Sequence, residues 1–548
     1  MYIFLKIFFS FSLLRTALAA TAEEWRGRSI YHLLARIITD RFALPEGADP
    51  TQCNPGDQTF CGGTWNTIRE NLDYVQNAGF TAIWISPVSQ NYEGPRTPYG
   101  DPYHGYWISD ATKLNSRFGT ADDLKALSTE LHKRGMFLMV DVVVNNVMGL
   151  TTDLNDLSSY MFKQKSQYHP YCPIQWGNRT SEQDCWLGDL KVPLLDVNTE
   201  DPTVVSAYQD WIKNLVSEYN IDGLRIDAAK HVQTDFWPSF CSAAGVFCIG
   251  EVFGDNIDEV ASFQGPDALD STLNYPMYSA LTEAFAIPGQ LNTSAITDTM
   301  EIYKTKFKDP GLLGNFLENQ DLPRWANMSS DPQSMYNAMV FNFMSDGIPI
   351  VYYGQEQGFN GSADPWNREP LWTSGYNNDT TAYKMIATLN KLRNFMINST
   401  TDTDTDWLHS RAEVLTTSAH GLAIMKGDVI SVLTNIGSPP QNLSTAVYTP
   451  YPNSLRMTDV LSCTQFVVGS NGTLSVGYSK GGQAKVIVPS DLLDNSDLCG
   501  HVDEVEQQSQ GQLASTAFFE LRRPSATASY VFLFGITFLG LLCTAVGV

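Results

Sequence analysis

The sequence predicts an α/β protein built on a (β/α)₈ TIM barrel, with an inserted domain after the third strand and a C-terminal antiparallel β-sandwich domain. Three observations lead to this prediction. Between about residues 25 and 400, short apolar runs alternate with helix-like stretches. The polar interval 147–200 interrupts that alternation. After residue 406, strand-like segments are separated by Gly, Asn and Pro turns.

The runs are short and mostly apolar at successive positions, as expected for strands that are buried on both faces. Strands of this kind that alternate with helices indicate a parallel sheet, and the number of units over this length favours a closed barrel over an open sheet. A helix start is predicted at Thr120, because this capping residue precedes the acidic pair Asp122 and Asp123. The predicted strands include 82–85, 137–140, 224–226, 248–250 and 348–351.

Composition sets the predicted domain boundaries. A polar run of Ser, Thr and Asp at 399–406 marks the end of the barrel, and residues rich in Gln, Ser and Glu after 500 are typical of a stalk. The predicted segments are a signal peptide at 1–20, the barrel at 21–400 with the inserted domain at 147–200, the β domain at 406–500, a stalk at 501–515 and a GPI-attachment signal at 516–548.

Both ends of the chain predict passage through the secretory pathway. The first 20 residues join an apolar run to a small-residue cleavage pattern, which favours a signal peptide over a buried N-terminal helix. Residues 530–548 are apolar and uncharged, and they follow small residues at Ser515 and a spacer. This pattern predicts a GPI anchor that tethers the protein to the outer face of a lipid membrane or to the cell wall. Gly511 and Ala514 are alternative attachment points, and a plain transmembrane anchor is the rival interpretation.

The cysteines agree with an oxidising compartment. Three pairs lie close in sequence within polar, turn-rich segments and are predicted to be disulfides, whereas Cys248 is predicted to be a buried free thiol and Cys241 is left open. Eight glycosylation sequons accompany the signal peptide. The predicted disulfides are Cys53–Cys61, Cys172–Cys185 and Cys463–Cys499.

Composition also restricts the ligand. The chain has 35 Lys and Arg against 59 Asp and Glu, a formal charge of −24, which excludes a basic nucleic-acid binder. Only 17% of the residues are charged and 12% are aromatic, which suits a secreted protein that handles a neutral ligand such as carbohydrate. We expect the chain to be a monomer.

Polar residues follow several predicted strands at the point where each strand ends. In a parallel barrel these ends share one face, where active sites assemble. Each carboxylate alone is more simply explained as a capping or loop-ordering group. Together they indicate a site, because Asp227 ends one strand and Glu251 ends the next. The polar segments are 141–146, 223–231, 250–252 and 316–321.

Two carboxyl groups on adjacent strand ends match the requirement of retaining glycoside cleavage. Asp227 is the predicted nucleophile, kept ionised by Arg225 on the same side of the strand. Glu251 is the predicted acid, with a pKa raised by apolar neighbours. Asp321 is predicted to stabilise the oxocarbenium-like transition state and to hold sugar hydroxyls.

These segments, together with 103–107 and 364–368, resemble the fungal members of the large retaining α-amylase family, over nearly the whole chain from about residue 25 to Cys499. The resemblance implies α-1,4-glucan as substrate. It implies the catalytic roles already given to Asp227, Glu251 and Asp321. It further implies a substrate-binding set of His104, Tyr106, Trp107, Asn146, Arg225, Lys230, His231, Gln320, Asp364 and Arg368.

Two positions depart from the family pattern. Asn146 and Gln320 stand where the family has histidines that bind hydroxyls of the reacting sugar. Since such hydrogen bonds strengthen in the transition state, we expect weakened hydrolysis. Together with the GPI signal, the double replacement resembles the cell-surface group regarded as 4-α-glucanotransferases that act on wall α-glucan or maltooligosaccharides. This is the leading prediction; hydrolytic α-amylase and an inactive glucan-binding wall protein are the alternatives.

The family's calcium site is predicted to be weak or absent. The resemblance assigns Asn145 and the backbone carbonyl of His231 as ligands, but the expected Glu is Gln183 and the expected Asp is Leu194. Loss of charged oxygen ligands weakens calcium binding. Asp196 could replace the missing Asp if the loop shifts. The first strand is also about three residues longer than in the family, so we expect a bulge there or an error in the gene model.

Overall fold

The computed structural model of the chain describes residues 20–33, 39–286, 292–399 and 406–500. The predicted signal peptide, except Ala20, lies outside the described residues, as do the stalk and the GPI signal. These assignments, and the extracellular location that follows from them, therefore stay predictions. Within the described ranges, every helix is too short or too polar to cross a bilayer.

Eight parallel strands form the predicted barrel. The first strand pairs with the second on one side and with the eighth on the other. A bridge between Leu273 and Gly314 joins the sixth strand region to the seventh and closes the circle. In order, the strands are Ile30–Leu33, Ala82–Ile85, Phe137–Val143, Gly223–Asp227, Phe247–Gly250, Ser271–Thr272, Gly314–Asn315 and Ile348–Tyr352.

Helices surround this sheet, and side chains at their first turns set where they begin. Thr120 caps the helix Ala121–Lys133 and exchanges hydrogen bonds with Asp123, as the sequence predicts. Asp201 caps Pro202–Tyr219, the helix that leads into the fourth strand. The remaining α-helices are Ala22–Arg26, Thr39–Phe42, Trp65–Glu70, Leu72–Asn77, Arg179–Asp184, Trp237–Ala244, Ile257–Ala261, Tyr275–Phe285, Ser294–Lys306, Trp325–Met328, Pro332–Met344 and Thr381–Ser399.

The inserted domain leaves the barrel after the third strand, as predicted. It begins and ends in a short antiparallel ribbon of Asn146–Met148 with Leu194–Asp196. The Cys172–Cys185 disulfide closes the loop between these strands. A second ribbon, Ser89–Asn91 with Ile108–Leu114, lies beyond the second barrel strand. Both ribbons stand on the face formed by the strand ends.

The C-terminal domain is antiparallel, as predicted. Six strands form one sheet and two form a separate ribbon, and both pack around a shared apolar core that includes Ile430, Val447 and Val476. Its strands are Glu413–Thr417, Gly421–Lys426, Val429–Thr434, Ser444–Tyr448, Arg456–Asp459, Gln465–Val467, Thr473–Gly477 and Lys485–Pro489.

Buried polar contacts join this domain to the barrel. The Thr434 backbone N–H donates to Asn337 Oδ1 at 2.8 Å, and Lys426 Nζ lies 2.8 Å from Asp346 Oδ1. Because buried polar groups need partners, these contacts fix the position of the β domain against the barrel helix Pro332–Met344.

The cysteines pair as the sequence predicts, in the three disulfides Cys53–Cys61, Cys172–Cys185 and Cys463–Cys499. Cys241 and Cys248 are free thiols, and Cys248 is buried. The possible bulge in the longer first strand falls on residues 34–38, outside the described residues. The described part of that strand pairs regularly with both neighbours.

Candidate active site

Arg225 is the centre of the polar cluster at the strand ends. It lies opposite Asp141 in the register of the third and fourth strands, and its side chain is fully buried. Arg225 Nη1 lies 2.8 Å from Asp141 Oδ2 and 2.7 Å from Asp227 Oδ1, and Nη2 lies 2.9 Å from Glu251 Oε2. One guanidinium therefore holds three carboxylates together.

Asp227 ends the fourth strand, and its surroundings set its ionisation. Burial raises the pKa of Asp227, the Arg225 guanidinium lowers it, and the charges of Glu251 and Asp321 raise it. The next residue, Ala228, has a left-handed backbone with φ of 48°, a conformation that is uncommon outside glycine. This turn aims the Ala228 backbone N–H at Glu251 Oε2, 3.0 Å away.

Glu251 follows the fifth strand and has three polar partners, an ion pair with Arg225 and two hydrogen bonds. Besides Arg225 and the Ala228 N–H, the Tyr275 hydroxyl donates to Glu251 Oε1 at 3.2 Å. The sequence predicted apolar neighbours for Glu251. In the structure its carboxyl group contacts these polar groups. Phe253 packs against the Tyr275 ring instead, with ring centroids 4.9 Å apart.

Asp321 joins this cluster from the loop after the seventh strand. Its backbone N–H donates to Asn319 Oδ1 at 2.9 Å, and Asn319 Nδ2 in turn donates to the Tyr275 hydroxyl at 3.0 Å. The charge of Asp321 contributes to the raised pKa of Asp227. The three predicted catalytic carboxylates therefore lie in one site.

The ring pair predicted to contact the sugar lies beside these carboxylates. Tyr106 donates its hydroxyl proton to Asp141 Oδ2 at 2.9 Å. The Tyr106 backbone N–H donates to His104 Nδ1 at 3.0 Å. A neutral His104 that accepts at Nδ1 carries its proton on Nε2, where it can donate to a sugar hydroxyl.

Trp107 lies beside His104, with ring centroids 4.8 Å apart. Its side chain is 1% exposed and packs in an apolar cluster with Met148, Leu187 and Leu194 of the inserted domain. Trp107 therefore connects His104 to the inserted domain, and its contact with the sugar stays a prediction.

Lys230 and His231 form the edge of the site next to the inserted domain. Lys230 Nζ lies 3.3 Å from Glu259 Oε2 and 3.5 Å from Glu182 Oε2. His231 Nδ1 lies 2.7 Å from the Glu182 carbonyl oxygen, and its ring contacts Trp176. Both side chains are thus positioned by the helix Arg179–Asp184 and by Glu259.

Asp364 and Arg368 form an ion pair on the opposite edge. Arg368 Nη1 lies 2.6 Å from Asp364 Oδ1 and 3.1 Å from the Tyr103 hydroxyl. Arg368 is buried, whereas the Asp364 side chain is 17% exposed. Trp366, between them, is half exposed, and its ring stands over Gly56, where a Cβ would lie 2.5 Å from Trp366 Cη2.

The two replaced family positions are buried in the structure. Asn146 is 3% exposed and begins the ribbon of the inserted domain, whereas Gln320 is 3% exposed in the loop that carries Asp321. The Gln320 backbone carbonyl accepts from Asn367 Nδ2 at 2.7 Å. The side-chain Oε1 of Gln320 makes no hydrogen bond to the described residues.

Asn145 and the His231 carbonyl, the two groups assigned to calcium, lie close together, and Asp196 lies beside them. One terminal atom of the Asn145 amide lies 3.2 Å from Asp196 Oδ1 and 2.9 Å from the His231 carbonyl oxygen. The ribbon register places Asp196 opposite Asn146, whereas Leu194 lies opposite Met148. Asp196, not Leu194, therefore supplies the acidic group beside Asn145, without any shift of the loop.

These groups fit a hard cation. If the Asn145 nitrogen faces Asp196 and His231, it donates two hydrogen bonds. If its oxygen faces them, three oxygens converge, which is the ligand chemistry that Ca²⁺ requires. Gln183 lies nearby on the helix that contacts His231 and donates to the Val232 carbonyl at 3.3 Å.

Two site residues were missed from sequence. The sequence predicts Asp141 only as part of the polar segment 141–146, although its place on the strand beside the one that carries Arg225 is a usable signal. Tyr275 is the first residue of a helix and follows a two-residue strand, so it had no comparable signal.

The comparisons with known proteins agree with this geometry. Residues 36–408 match the family model for the α-amylase catalytic domain, and residues 414–507 match the model for α-amylase domain C. α-Amylase 2 of Schwanniomyces occidentalis is 43% identical over 493 residues, covering 88% of this chain and 94% of that protein. α-Amylase mde5 of Schizosaccharomyces pombe is 42% identical over 486 residues, covering 88% and 90%.

A solved structure shows the same architecture. An α-amylase from Malbranchea cinnamomea superposes with a TM-score of 0.83 at 41% identity, covering 88% of this chain and 100% of that one. Both domains, the site carboxylates and these similarities lead to one conclusion. The chain belongs to the α-amylase family of glycoside hydrolases.

Proposed function

We propose that the protein hydrolyses α-1,4-glucan with retention of anomeric configuration, as an α-amylase. The observation that carries this proposal is the single guanidinium of Arg225, which contacts both Asp227 and Glu251 at adjacent strand ends. It keeps the two carboxyl groups close together, as a retaining double displacement needs.

Asp227 and Glu251 have different roles in the two steps of this reaction. Asp227 attacks the anomeric carbon while Glu251 gives a proton to the departing glycosidic oxygen, and a glycosyl ester forms on Asp227. Glu251 then removes a proton from water, which attacks the same carbon and releases Asp227. Asp321, His104 and the Asp364–Arg368 pair surround this centre and supply contacts for sugar hydroxyls.

The test is product analysis with a defined maltooligosaccharide. We expect shorter oligosaccharides, and NMR at early times should show the α-anomer at the new reducing end. Release of the β-anomer would contradict the retaining mechanism. Absence of any product would favour the glucan-binding alternative.

Transfer to a sugar acceptor is the second candidate, favoured by the buried amides at Asn146 and Gln320. Transfer and hydrolysis share the Asp227 glycosyl-enzyme and differ only in whether water or a sugar hydroxyl attacks it. Products longer than the starting oligosaccharide would identify transfer. We rank hydrolysis first because the curated relatives at 39–48% identity are named α-amylases.

Restoring histidine at both positions should increase hydrolysis. In Asn146→His/Gln320→His, each imidazole can donate a stronger hydrogen bond to the reacting sugar than the amide does. We expect kcat/KM for maltooligosaccharide hydrolysis to rise about 10-fold, which corresponds to about 1.4 kcal/mol. The ratio of hydrolysis to transfer products should rise as well. Asn377→His, at an exposed position, is the control; an unchanged product ratio in the double variant would contradict the role of these positions.

We propose that calcium binds weakly between Asn145, Asp196 and the His231 carbonyl. Asp196 contributes one carboxylate, but burial raises its pKa to about 7, so its proton must be displaced in mildly acidic solution. Gln183 contributes no charge where the family has a Glu. Fewer charged ligands give a weaker site.

Gln183→Glu should therefore strengthen calcium binding about 10-fold or more, because it adds a second carboxylate beside the same oxygens. Isothermal calorimetry in calcium-buffered solution measures this directly. Gln175→Glu adds the same charge at an exposed position of the inserted domain and should leave the affinity unchanged. Equal calcium affinity in wild type and Gln183→Glu would contradict this site.

A further inference from the structure

A second group of metal-ligating side chains lies on the outer side of Asp196. One nitrogen of His169 and one carboxylate oxygen each of Asp184 and Glu200 lie within 4.8 Å of one another. They come from three separate segments: the loop before Cys172, the end of the helix Arg179–Asp184, and the turn before the helix Pro202–Tyr219. None of the three takes part in the proposed reaction.

The His169 ring is held in a fixed orientation. Its Nδ1 lies 2.6 Å from Asp196 Oδ2, and the Asp196 side chain is 1% exposed. The His169 backbone N–H donates to the Asp196 carbonyl at 3.0 Å, and the Trp186 indole N–H donates to the His169 carbonyl at 2.9 Å. With its Nδ1 proton donated to Asp196, a neutral His169 carries its lone pair on Nε2, which is the nitrogen available to a metal.

This arrangement reproduces the outer-shell pattern of protein metal sites. A metal-bound histidine usually donates its other ring N–H to a carboxylate, which fixes the ring and increases the basicity of the ligand nitrogen. Here the buried Asp196 has that role for His169. Asp196 lies outside the three ligands and orients one of them, His169.

A disulfide holds the segments of His169 and Asp184 together. The Cys172–Cys185 disulfide joins the segment of His169 to the residue after Asp184, with Cα atoms 4.9 Å apart. Gln233 Nε2 donates to Asp184 Oδ1 at 3.3 Å. Glu200 is exposed, and its side chain can close on an ion from solvent.

We propose that His169, Asp184 and Glu200 bind a divalent transition-metal ion of the Zn²⁺ class, with Asp196 as the carboxylate behind His169. One imidazole and two carboxylates suit zinc, which binds three protein ligands and leaves a fourth position for water. Calcium and magnesium prefer an all-oxygen set, so the imidazole distinguishes this site from the one at Asn145. The ion would tie together the three segments that close the inserted domain.

The test is calorimetric titration of the full-length protein with ZnCl₂ in phosphate-free buffer, with calcium saturating. We expect one zinc ion per chain. Glu200→Gln and Asp184→Asn should each weaken zinc binding 10-fold or more, whereas the matched change Glu70→Gln, at an exposed position elsewhere on the barrel, should leave it unchanged. Zinc should also raise the melting temperature of the wild type and raise it less in Glu200→Gln.

Two results would overturn the proposal. One is the absence of zinc binding at millimolar concentration. The other is equal zinc affinity in the wild type and in Glu200→Gln, whose exposed side chain makes that variant a safe one for folding. Titration of Asp227→Asn separates this site from the active-site carboxylates: zinc affinity should be unchanged in it, and a loss there would assign the ion to the active site instead.

Discussion

Asp227→Asn should reduce kcat/KM for maltooligosaccharide hydrolysis by at least about 10³-fold, because the amide cannot form the glycosyl-enzyme. The substitution keeps the size of the side chain and one oxygen facing Arg225, 2.7 Å away in the wild type. Folding should therefore be preserved, and the melting temperature verifies this. Asp379→Asn removes an exposed carboxylate and is the matched control, with full activity expected.

A maltosyl fluoride substrate separates the roles of the two carboxyl groups. Fluoride departs without a proton, so Glu251→Gln should still form the ester on Asp227 but deglycosylate slowly. Mass spectrometry of the intact Glu251→Gln protein should then show an added maltosyl group. Asp227→Asn should show no such adduct. An adduct of equal yield in Asp227→Asn would place the nucleophile elsewhere.

The barrel could be predicted because five of its strands are short runs dominated by apolar residues that alternate with helix-like stretches. The sequence did not identify the sixth and seventh strands, Ser271–Thr272 and Gly314–Asn315, since two residues are too few for a periodic pattern. Closure of the barrel depends on these two strands. A Cβ at Gly314 would lie 2.7 Å from Ile249 Cδ1 and 2.8 Å from Ile350 Cδ1, so a larger residue there would require these side chains inside the barrel to shift.

The site was predictable where it follows directly from a strand end. Asp227 and Glu251 come immediately at the ends of adjacent strands, so their meeting needed only the rule that parallel strands end on one face. Other parts depend on pairing that the sequence does not reveal. Asp196 lies beside Asn145 because the ribbon pairs Asp196 with Asn146, whereas the resemblance to the family carried the expected Asp onto Leu194, two residues earlier.

Removal of the Arg225 charge should have the second large effect. In Arg225→Met, Asp141, Asp227 and Glu251 lose the cation that they share, and the buried carboxylates are left without compensation. The expected loss of folding stability is about 3–5 kcal/mol. Activity at neutral pH should fall by at least about 100-fold, because Asp227 no longer has the cation that keeps it ionised.

The pH dependence distinguishes this effect from simple loss of packing. Burial raises the pKa of both Asp141 and Asp227, and the Arg225 charge opposes that rise. Without the guanidinium both pKa values should rise further. The acidic limb of kcat/KM, which reports ionisation of the nucleophile, should therefore move to higher pH in Arg225→Met. An unchanged acidic limb would show that Arg225 acts only through packing.

The folding stability of Arg225→Met should also depend on pH, because the pKa values of the buried carboxyl groups rise. A carboxyl group whose folded pKa exceeds its unfolded value of about 3.9 binds more protons in the folded state, so its contribution decreases as pH rises through the folded pKa. The destabilisation of Arg225→Met should consequently be smaller at pH 5 than at pH 8. Arg393→Met is the matched control: Arg393 is equally buried but donates to backbone carbonyls of Arg26 and Phe343. It should lose stability while its acidic limb stays that of the wild type, because no catalytic carboxylate depends on its charge.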